Sequence, residues 1–176
     1  MLTSRRSAIS CLCIAPLLIM AACSNAKPRA ISFAVGQKVP VGKLVYQVLE
    51  AQWMGEAPGS RQQPKNRILQ LAVAVTNSGS YEASIPFLHL LDAGGNEIME
   101  IGEIEGNSRW LGTIRRLQPA LTETGAIYFD VPVGAYKLQV VDTSNAEDEK
   151  MAYIDIPASL APPPVAPGSD LKVDGK

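Results

Sequence analysis

The side chain with the most informative chemistry is the thiol of Cys23, which follows Met20-Ala21-Ala22 at the end of an apolar run. An aliphatic residue and two small residues before a cysteine resemble the bacterial lipobox. In a lipobox the thiol is alkylated by a diacylglycerol, the chain is cut before the cysteine, and the new amine is acylated. Two or three acyl chains hold a protein stably on a membrane, because each buried methylene contributes about 0.8 kcal/mol. Cys23 is therefore the predicted lipid-attachment site, although Met20 stands where leucine is commonest.

The segment before Cys23 has the plan of an export signal. Arg5 and Arg6 supply a positive n-region, and an apolar stretch of about 15 residues follows. A bilayer span needs roughly 20 residues, so residues 1–22 are predicted to be a cleaved lipoprotein signal peptide and residues 23–30 a lipidated tether. A plain signal peptide in which Cys23 is incidental is the alternative. Ser24 after the cysteine favours the outer membrane, facing the periplasm, over the inner membrane.

Processing at Cys23 would remove or consume every thiol of the chain. Cys11 and Cys13 leave with the signal, and Cys23 carries lipid, so the mature domain has no cysteine for a disulfide, a zinc site or a nucleophile. The formal net charge of −1 becomes −3 when Arg5 and Arg6 are removed. A faintly acidic domain does not favour a nucleic-acid partner, because binding to the phosphate backbone requires a basic face.

One stretch of the mature chain combines the residue types that dominate protein-binding hot spots. Arg109 and Trp110 are followed closely by Arg115 and Arg116, all between predicted strands. These four residues are the candidate partner-binding site. The alternative is structural: Trp110 and Leu111 fold back over an open end of the domain, and the arginines meet solvent or the nearby Glu103 and Glu105.

Other polar residues give little support for catalysis or metal binding. His89 is the only histidine, and it lies on a predicted strand without a serine or cysteine partner in a recognisable order. Two acidic groups could bind a hard cation, but neither follows calcium-loop spacing; they are Asp92 with Asn96 and Glu97, and Asp142 with Glu147, Asp148 and Glu149. We therefore predict no catalytic residue, no metal and no cofactor.

The elements around these residues are predicted to be strands. The clearest is Ile68–Thr76, where Leu69, Leu71, Val73 and Val75 share one face with a period of two that a helix cannot satisfy. Similar patterns place Tyr46 and Val48 inward in an earlier strand, and Ile127, Phe129 and Val131 inward in a later one; shorter strands are predicted at 31–35, 84–91, 97–101, 136–141 and 151–156. Residues 102–120 are predicted to be a long irregular connection with one helical turn.

Short strands without intervening helices predict an all-β fold. About seven strands at these spacings are typical of an immunoglobulin-like antiparallel β-sandwich, and an up-and-down barrel is the alternative. The sandwich is predicted to span residues 31–157. The proline-rich residues 158–176, which include Pro162-Pro163-Pro164, are predicted to be a disordered tail.

The order of these features resembles an immunoglobulin-like domain-of-unknown-function family found in bacterial lipoproteins and exported proteins. The matching residues are Val48, the strand and exit at 71–77, Leu90-Leu91-Asp92 with Gly95, and the segment 125–132. Pro119-Ala120 departs from the Pro-Gly common in that family, so the turn there is expected to differ. The resemblance implies a sandwich and an envelope location, but no agreed activity.

The sequence therefore favours a lipid-anchored envelope protein whose sandwich is a non-catalytic binding or structural module. Its predicted partners are the membrane, through lipid on Cys23, and another envelope protein, through loops at one end of the sandwich. The rival hypothesis is a small-ligand carrier or enzyme with a pocket between the sheets. An assembly accessory to a secretion or transport apparatus is a third hypothesis, which the sequence does not separate from the first.

Overall fold

The computed structural model describes residues 31–61, 63–144 and 150–160, and every regular element within them is a strand. The predicted signal peptide, the tether with Cys23, residues 161–176 and the acidic residues 145–149 lie outside the described residues. In chain order the strands are β1 (Ser32–Ala34), β2 (Lys38–Val41), β3 (Leu44–Met54), β4 (Arg67–Asn77), β5 (Ala83–Ser84), β6 (His89–Leu91), β7 (Glu97–Met99), β8 (Arg116–Leu117), β9 (Thr122–Val131), β10 (Tyr136–Asp142) and β11 (Lys150–Ile156).

These strands form two facing sheets and a two-stranded ribbon. Sheet A has the order β1-β11-β10-β6-β7, sheet B has the order β2-β3-β4-β9, and β5 pairs with β8. All pairings of the named strands are antiparallel except that of β1 with β11, which is parallel. The predicted all-β sandwich is confirmed. The eleven described strands exceed the predicted seven, because several contain only two to four residues and carry no periodic signal.

The long strands form because their side chains alternate between a buried and a half-exposed face. In β4, Leu69, Leu71, Val73 and Val75 are each at most 1% exposed, while the residues between them are half-buried. The predicted inward residues of β3 and β9 are buried in the same cluster. Side chains from both sheets therefore fill the space between them, and the core stabilises the fold by removing apolar surface from water.

One end of the sandwich is organised by Asn77, the last residue of β4, which is completely buried. Its side-chain amide donates to the carbonyls of Tyr81 and Leu117, both at 2.8 Å, and its Oδ1 accepts from the Gly79 amide. Its backbone amide donates to the Leu121 carbonyl at 3.0 Å. We call this the Asn77 end. It also includes the β2–β3 turn and the end of β10.

The opposite end, which we call the Trp53 end, is closed by aromatic packing. The rings of Trp53 and Tyr136 are 6.5 Å apart, and the Tyr136 hydroxyl donates to the Pro132 carbonyl at 2.6 Å. The Trp53 indole donates to the carbonyl of Ala158, and Leu160 packs against the core. Ala158 and Leu160, which the sequence assigned to the tail, thus contact the domain.

Candidate functional site

The connection that carries the predicted binding residues is a strap, defined here as residues 100–118, along the free edge of β9. The Ala126 amide donates to the Arg109 carbonyl at 2.6 Å, and the Leu111 amide donates to the Ala126 carbonyl at 3.0 Å. The Ile101 amide donates to the Tyr128 carbonyl at 2.7 Å. The helical turn predicted here is absent from the strap, all of which is described. The strap instead covers an edge that would otherwise present unpaired backbone groups.

Trp110 and Leu111 both serve packing. Trp110 is half-buried and contacts a second apolar cluster on the outer face of sheet B, formed by Ala57, Ile68, Ile104, Ala126 and Tyr128. Leu111 is buried in the main core, against the backbone of Gly125. This arrangement corresponds to the structural alternative, in which the two residues fold back onto the domain. They cover the side of the sandwich, whereas the prediction placed them over one of its ends.

Arg115 is buried and therefore does not belong to an exposed partner-binding patch, contrary to the prediction. Its guanidinium forms two hydrogen bonds with the Glu100 carboxylate, at 2.7 and 2.8 Å, and the two side chains are 1% and 0% exposed. Glu100 also accepts from the Leu88 amide at 2.7 Å, and the guanidinium lies 4.9 Å from the centre of the Phe87 ring. The pair with Glu100 replaces the predicted contact with Glu103 or Glu105.

The remaining two arginines are exposed and lie in different parts of the strap. Arg109 bonds to β9 through its backbone, and its side chain is exposed. Arg116 lies in β8, with its guanidinium 3.7 Å from the Glu82 carboxylate. The structure therefore does not gather the four predicted residues into one surface: Arg109 and Arg116 are exposed, Trp110 is half-buried and Arg115 is buried.

The other polar candidates have structural partners. His89 lies on the solvent face of sheet A, 3.7 Å from Glu97. Asp92 accepts hydrogen bonds from Asn96 and from the Gly94 amide within the β6–β7 hairpin, and these bonds lower its pKa. No group of three or more potential metal ligands occurs among the residues that the structure describes.

Asp142 caps the β2–β3 turn at the Asn77 end. Its carboxylate accepts from the Lys43 amide at 2.6 Å and from Ser144. Burial by itself would raise the pKa of Asp142, but the hydrogen bonds from Ser144 and Lys43 outweigh burial and lower it. The described part of the predicted acidic loop is therefore explained by turn geometry.

A concave surface lies at the Trp53 end of sheet A, outside the sandwich, with a volume of about 690 Å³. We call it the Tyr136 concavity. Apolar and small residues dominate its wall, which comprises Ala34, Val35, Leu91, Asp92, Ala93, Ala135, Tyr136, Lys137, Asp155, Ile156 and Pro157. Four strands contribute, because Ala34, Asp155, Lys137 and Leu91 are cross-strand partners in β1, β11, β10 and β6. The space between the sheets, where the rival hypothesis put a pocket, is filled by the core.

The polar side chains of the concavity already have hydrogen-bond partners within the domain. Lys137 donates to Asp155, and this bond and one from Ser32 lower the pKa of Asp155. Burial raises the pKa of the Tyr136 phenol, whose hydroxyl is held by Pro132. The surface can therefore bind mainly through shape and apolar contact. Sequence reasoning missed it because its residues are ordinary strand-end residues spread from position 34 to position 157.

The fold is shared with three solved bacterial proteins. The yjhA protein of Bacillus subtilis is 18% identical, with a TM-score of 0.53, and the match covers 70% of this chain and 99% of that one. A presumed lipoprotein of the same species, ycdA, is 16% identical with a TM-score of 0.57, and the match covers 69% of this chain and 38% of that one. A functionally unknown Listeria monocytogenes protein is 10% identical with a TM-score of 0.54, over 70% and 82% of the two chains. At these identities the likeness shows the fold alone.

Sequence comparisons place the chain in a family without assigning an activity. No curated protein matches it. Within the described residues, no helix has the length and hydrophobicity needed to cross a bilayer. A family model matches residues 33–151, well over half of the 176 residues, and with them nearly the whole sandwich. The protein belongs to the DUF4352 family, a domain of unknown function, in agreement with the predicted resemblance.

Proposed function

We propose that this protein is a lipid-anchored component of the bacterial envelope, whose sandwich is a non-catalytic binding module. The lipobox-like Met20-Ala21-Ala22-Cys23 supports the anchor, and Ser24 favours the outer membrane facing the periplasm. The fold likeness to a presumed lipoprotein is compatible with this location. In this proposal the anchor selects the compartment, and the sandwich selects the partner.

The observation that carries the binding role is the Tyr136 concavity. Strand pairing fixes the backbone of six of its eleven wall residues, so most of the surface is preformed and binding costs little ordering entropy. Lys137 and Asp155 pair with each other and the Tyr136 hydroxyl bonds to the Pro132 carbonyl, so contact does not leave buried charges unpaired. A preformed apolar surface with paired polar groups is suited to an apolar segment of another envelope protein.

The volume of the concavity also favours a second candidate function. Sites for small molecules usually measure about 300–1,000 Å³, and the Tyr136 concavity is within that range at about 690 Å³. A carrier of a small apolar ligand would use the same wall. The two candidates differ in what is bound and not in where it binds.

A bulky substitution within the concavity tests both candidates. Ala135→Trp fills the surface, whereas Thr124→Trp adds the same side chain at an exposed position on the outer face of sheet B. Each variant is produced as the membrane-anchored full chain, crosslinked in intact cells and purified, and its melting temperature is compared with the wild type. Native mass spectrometry of the uncrosslinked protein detects bound small molecules.

We expect Ala135→Trp to lose a crosslinked protein that the wild type and Thr124→Trp both retain. Loss of a small-molecule adduct from Ala135→Trp, with the protein crosslinks unchanged, would favour the carrier. If Ala135→Trp retains every crosslink and adduct while its melting temperature matches that of the wild type, the concavity is not the binding surface.

A further inference from the structure

The chain enters the sandwich from the side of the Asn77 end. The Ile31 carbonyl accepts from the Tyr153 amide, and β1 then runs parallel to β11. Because β11 begins at Lys150, the partner of Asp142, its start lies at the end where Asp142 bonds to Lys43. β1 therefore points away from the Asn77 end, and Ile31, the residue before it, lies on the side of β1 nearer that end.

The distance from Cys23 to the sandwich is limited by covalent geometry. Eight residues, from Ser24 to Ile31, follow the cysteine, and a fully extended chain spans at most about 3.3–3.6 Å per residue, or about 29 Å in all. An 11-residue strand such as β3 is itself about 37 Å long. A lipid on Cys23 thus keeps the domain within less than its own length of the bilayer.

The Asn77 end presents apolar side chains on a rigid support. Tyr81 is 76% exposed and Leu121 is 55% exposed, and the backbone carbonyl of each is fixed by a hydrogen bond from Asn77. Met151, also exposed, lies one residue into β11 on the same half of sheet A. At the Trp53 end, the exposed large apolar residue of the described turn between β9 and β10 is Val133.

From this placement we propose that the Asn77 end is the membrane-facing surface, with Tyr81 and Leu121 in the headgroup region. The proposal rests on the proposed lipid anchor at Cys23. Tyrosine is favoured at the membrane interface because its ring is apolar and its hydroxyl is solvated, and leucine gains by leaving water. The Tyr136 concavity, at the opposite end, then points away from the bilayer and stays open to a periplasmic partner.

Charge at the Asn77 end indicates which lipids are needed. Lys43 is exposed at the β2–β3 turn, but Glu82, next to Tyr81 in sequence, and Glu123, two residues after Leu121, are exposed as well. These carboxylates oppose attraction to anionic headgroups. Contact is therefore apolar and interfacial, and it does not require anionic lipid.

Site-directed labelling tests the orientation, because the processed chain has no free thiol beside an introduced cysteine. Tyr81→Cys, Leu121→Cys and Val133→Cys are each labelled with an environment-sensitive fluorophore. The exposure of Val133, at 60%, matches that of Leu121 and makes it the control for the distal end. The lipidated proteins are placed in phosphatidylethanolamine vesicles containing brominated lipid as quencher, with and without phosphatidylglycerol. Mass spectrometry of each preparation records lipid on Cys23.

We expect labels at positions 81 and 121 to be quenched several-fold more than the label at position 133, in both lipid mixtures. Lipid on Cys23 together with equal quenching at 121 and 133, or with quenching at neither, would overturn the orientation and leave the anchor in place. Quenching that appears only with phosphatidylglycerol would overturn the apolar mode of contact. An unlipidated Cys23 would overturn the anchor and the orientation together.

Discussion

At the scale of single residues, Ala120 has a backbone conformation that suits glycine, at a position where this chain departs from its family. The family commonly has Pro-Gly where this chain has Pro119-Ala120, and we expected the turn to differ. Ala120 instead has a φ of 62°, the left-handed conformation that glycine adopts most easily, and it is the one described non-glycine residue with positive φ. Its amide donates to the Asn77 carbonyl at 2.9 Å. The backbone conformation thus suits glycine although the residue is alanine.

Ala120→Gly is predicted to stabilise the domain. Alanine pays about 1–2 kcal/mol in the left-handed region, and glycine costs about 0.5–1 kcal/mol in unfolded-state entropy, so the free energy of unfolding should rise by roughly 0.5–1 kcal/mol. Urea unfolding measures the change. The control is Ala93→Gly, an exposed alanine without positive φ, which should be neutral or destabilising. A lower stability of Ala120→Gly than of the wild type would contradict this explanation.

The Glu100–Arg115 pair predicts a non-additive double-mutant cycle. Glu100→Leu or Arg115→Met alone leaves one buried charge without its partner and should cost about 3–5 kcal/mol of unfolding free energy. The double variant removes both charges and should cost only about 1–3 kcal/mol, because the Leu88 amide still loses its acceptor. Urea unfolding of the four proteins gives the coupling energy. Additive single effects would show that the buried pair is not coupled.

At the scale of elements, the strap is held by the β3–β4 connection. The Glu105 amide donates to the Gly59 carbonyl at 2.9 Å, and the Asn107 side-chain amide donates to the Pro58 carbonyl at 3.3 Å. Gly59 has a φ of 84°, and a Cβ placed on it would be 1.8 Å from the Glu105 carbonyl oxygen. Only glycine therefore fits where the connection meets the strap.

Gly59→Ala is predicted to detach the strap from β9. Gly36→Ala is the matched control, because Gly36 has a similar φ of 89° and nothing lies within 4 Å of its Cβ position. The Gly36→Ala variant therefore loses only about 1–2 kcal/mol of stability through backbone strain. Hydrogen exchange of the Ala126 and Leu111 amides, which bond across the strap, should be faster in Gly59→Ala than in Gly36→Ala. Equal protection in the two variants would show that the connection does not hold the strap.

Sequence patterns predicted the elements whose side chains alternate and missed those fixed by single contacts. The alternation of apolar residues in β4 predicted the position of this strand and its buried face, because packing follows the period of the strand. β5 and β8 are too short to show a period. Arg115 and Arg116 are identical neighbours in sequence, and their different burial depends on Glu100 reaching one of them. The Tyr136 concavity was not predicted, because it depends on strand order. Strand order brings Ala34 beside Asp155 and cannot be read from any one segment of the sequence.

At the scale of the whole molecule, the two ends have different proposed roles. The Asn77 end is tied together by buried hydrogen bonds and presents Tyr81 and Leu121. The Trp53 end carries the apolar concavity. A short lipidated tether would hold the first end at the bilayer and present the second to a partner. Both proposed roles depend on lipid modification of Cys23.

Intact mass spectrometry of the mature protein from the bacterial membrane fraction detects this modification. We expect a chain that begins at Cys23, with residues 1–22 removed and a mass increase matching a diacylglycerol and an N-linked acyl chain. A Cys23→Ser variant should lack this increase and leave the membrane fraction. An unmodified mature Cys23, or retention of residues 1–22, would show that the protein is not anchored through lipid on Cys23.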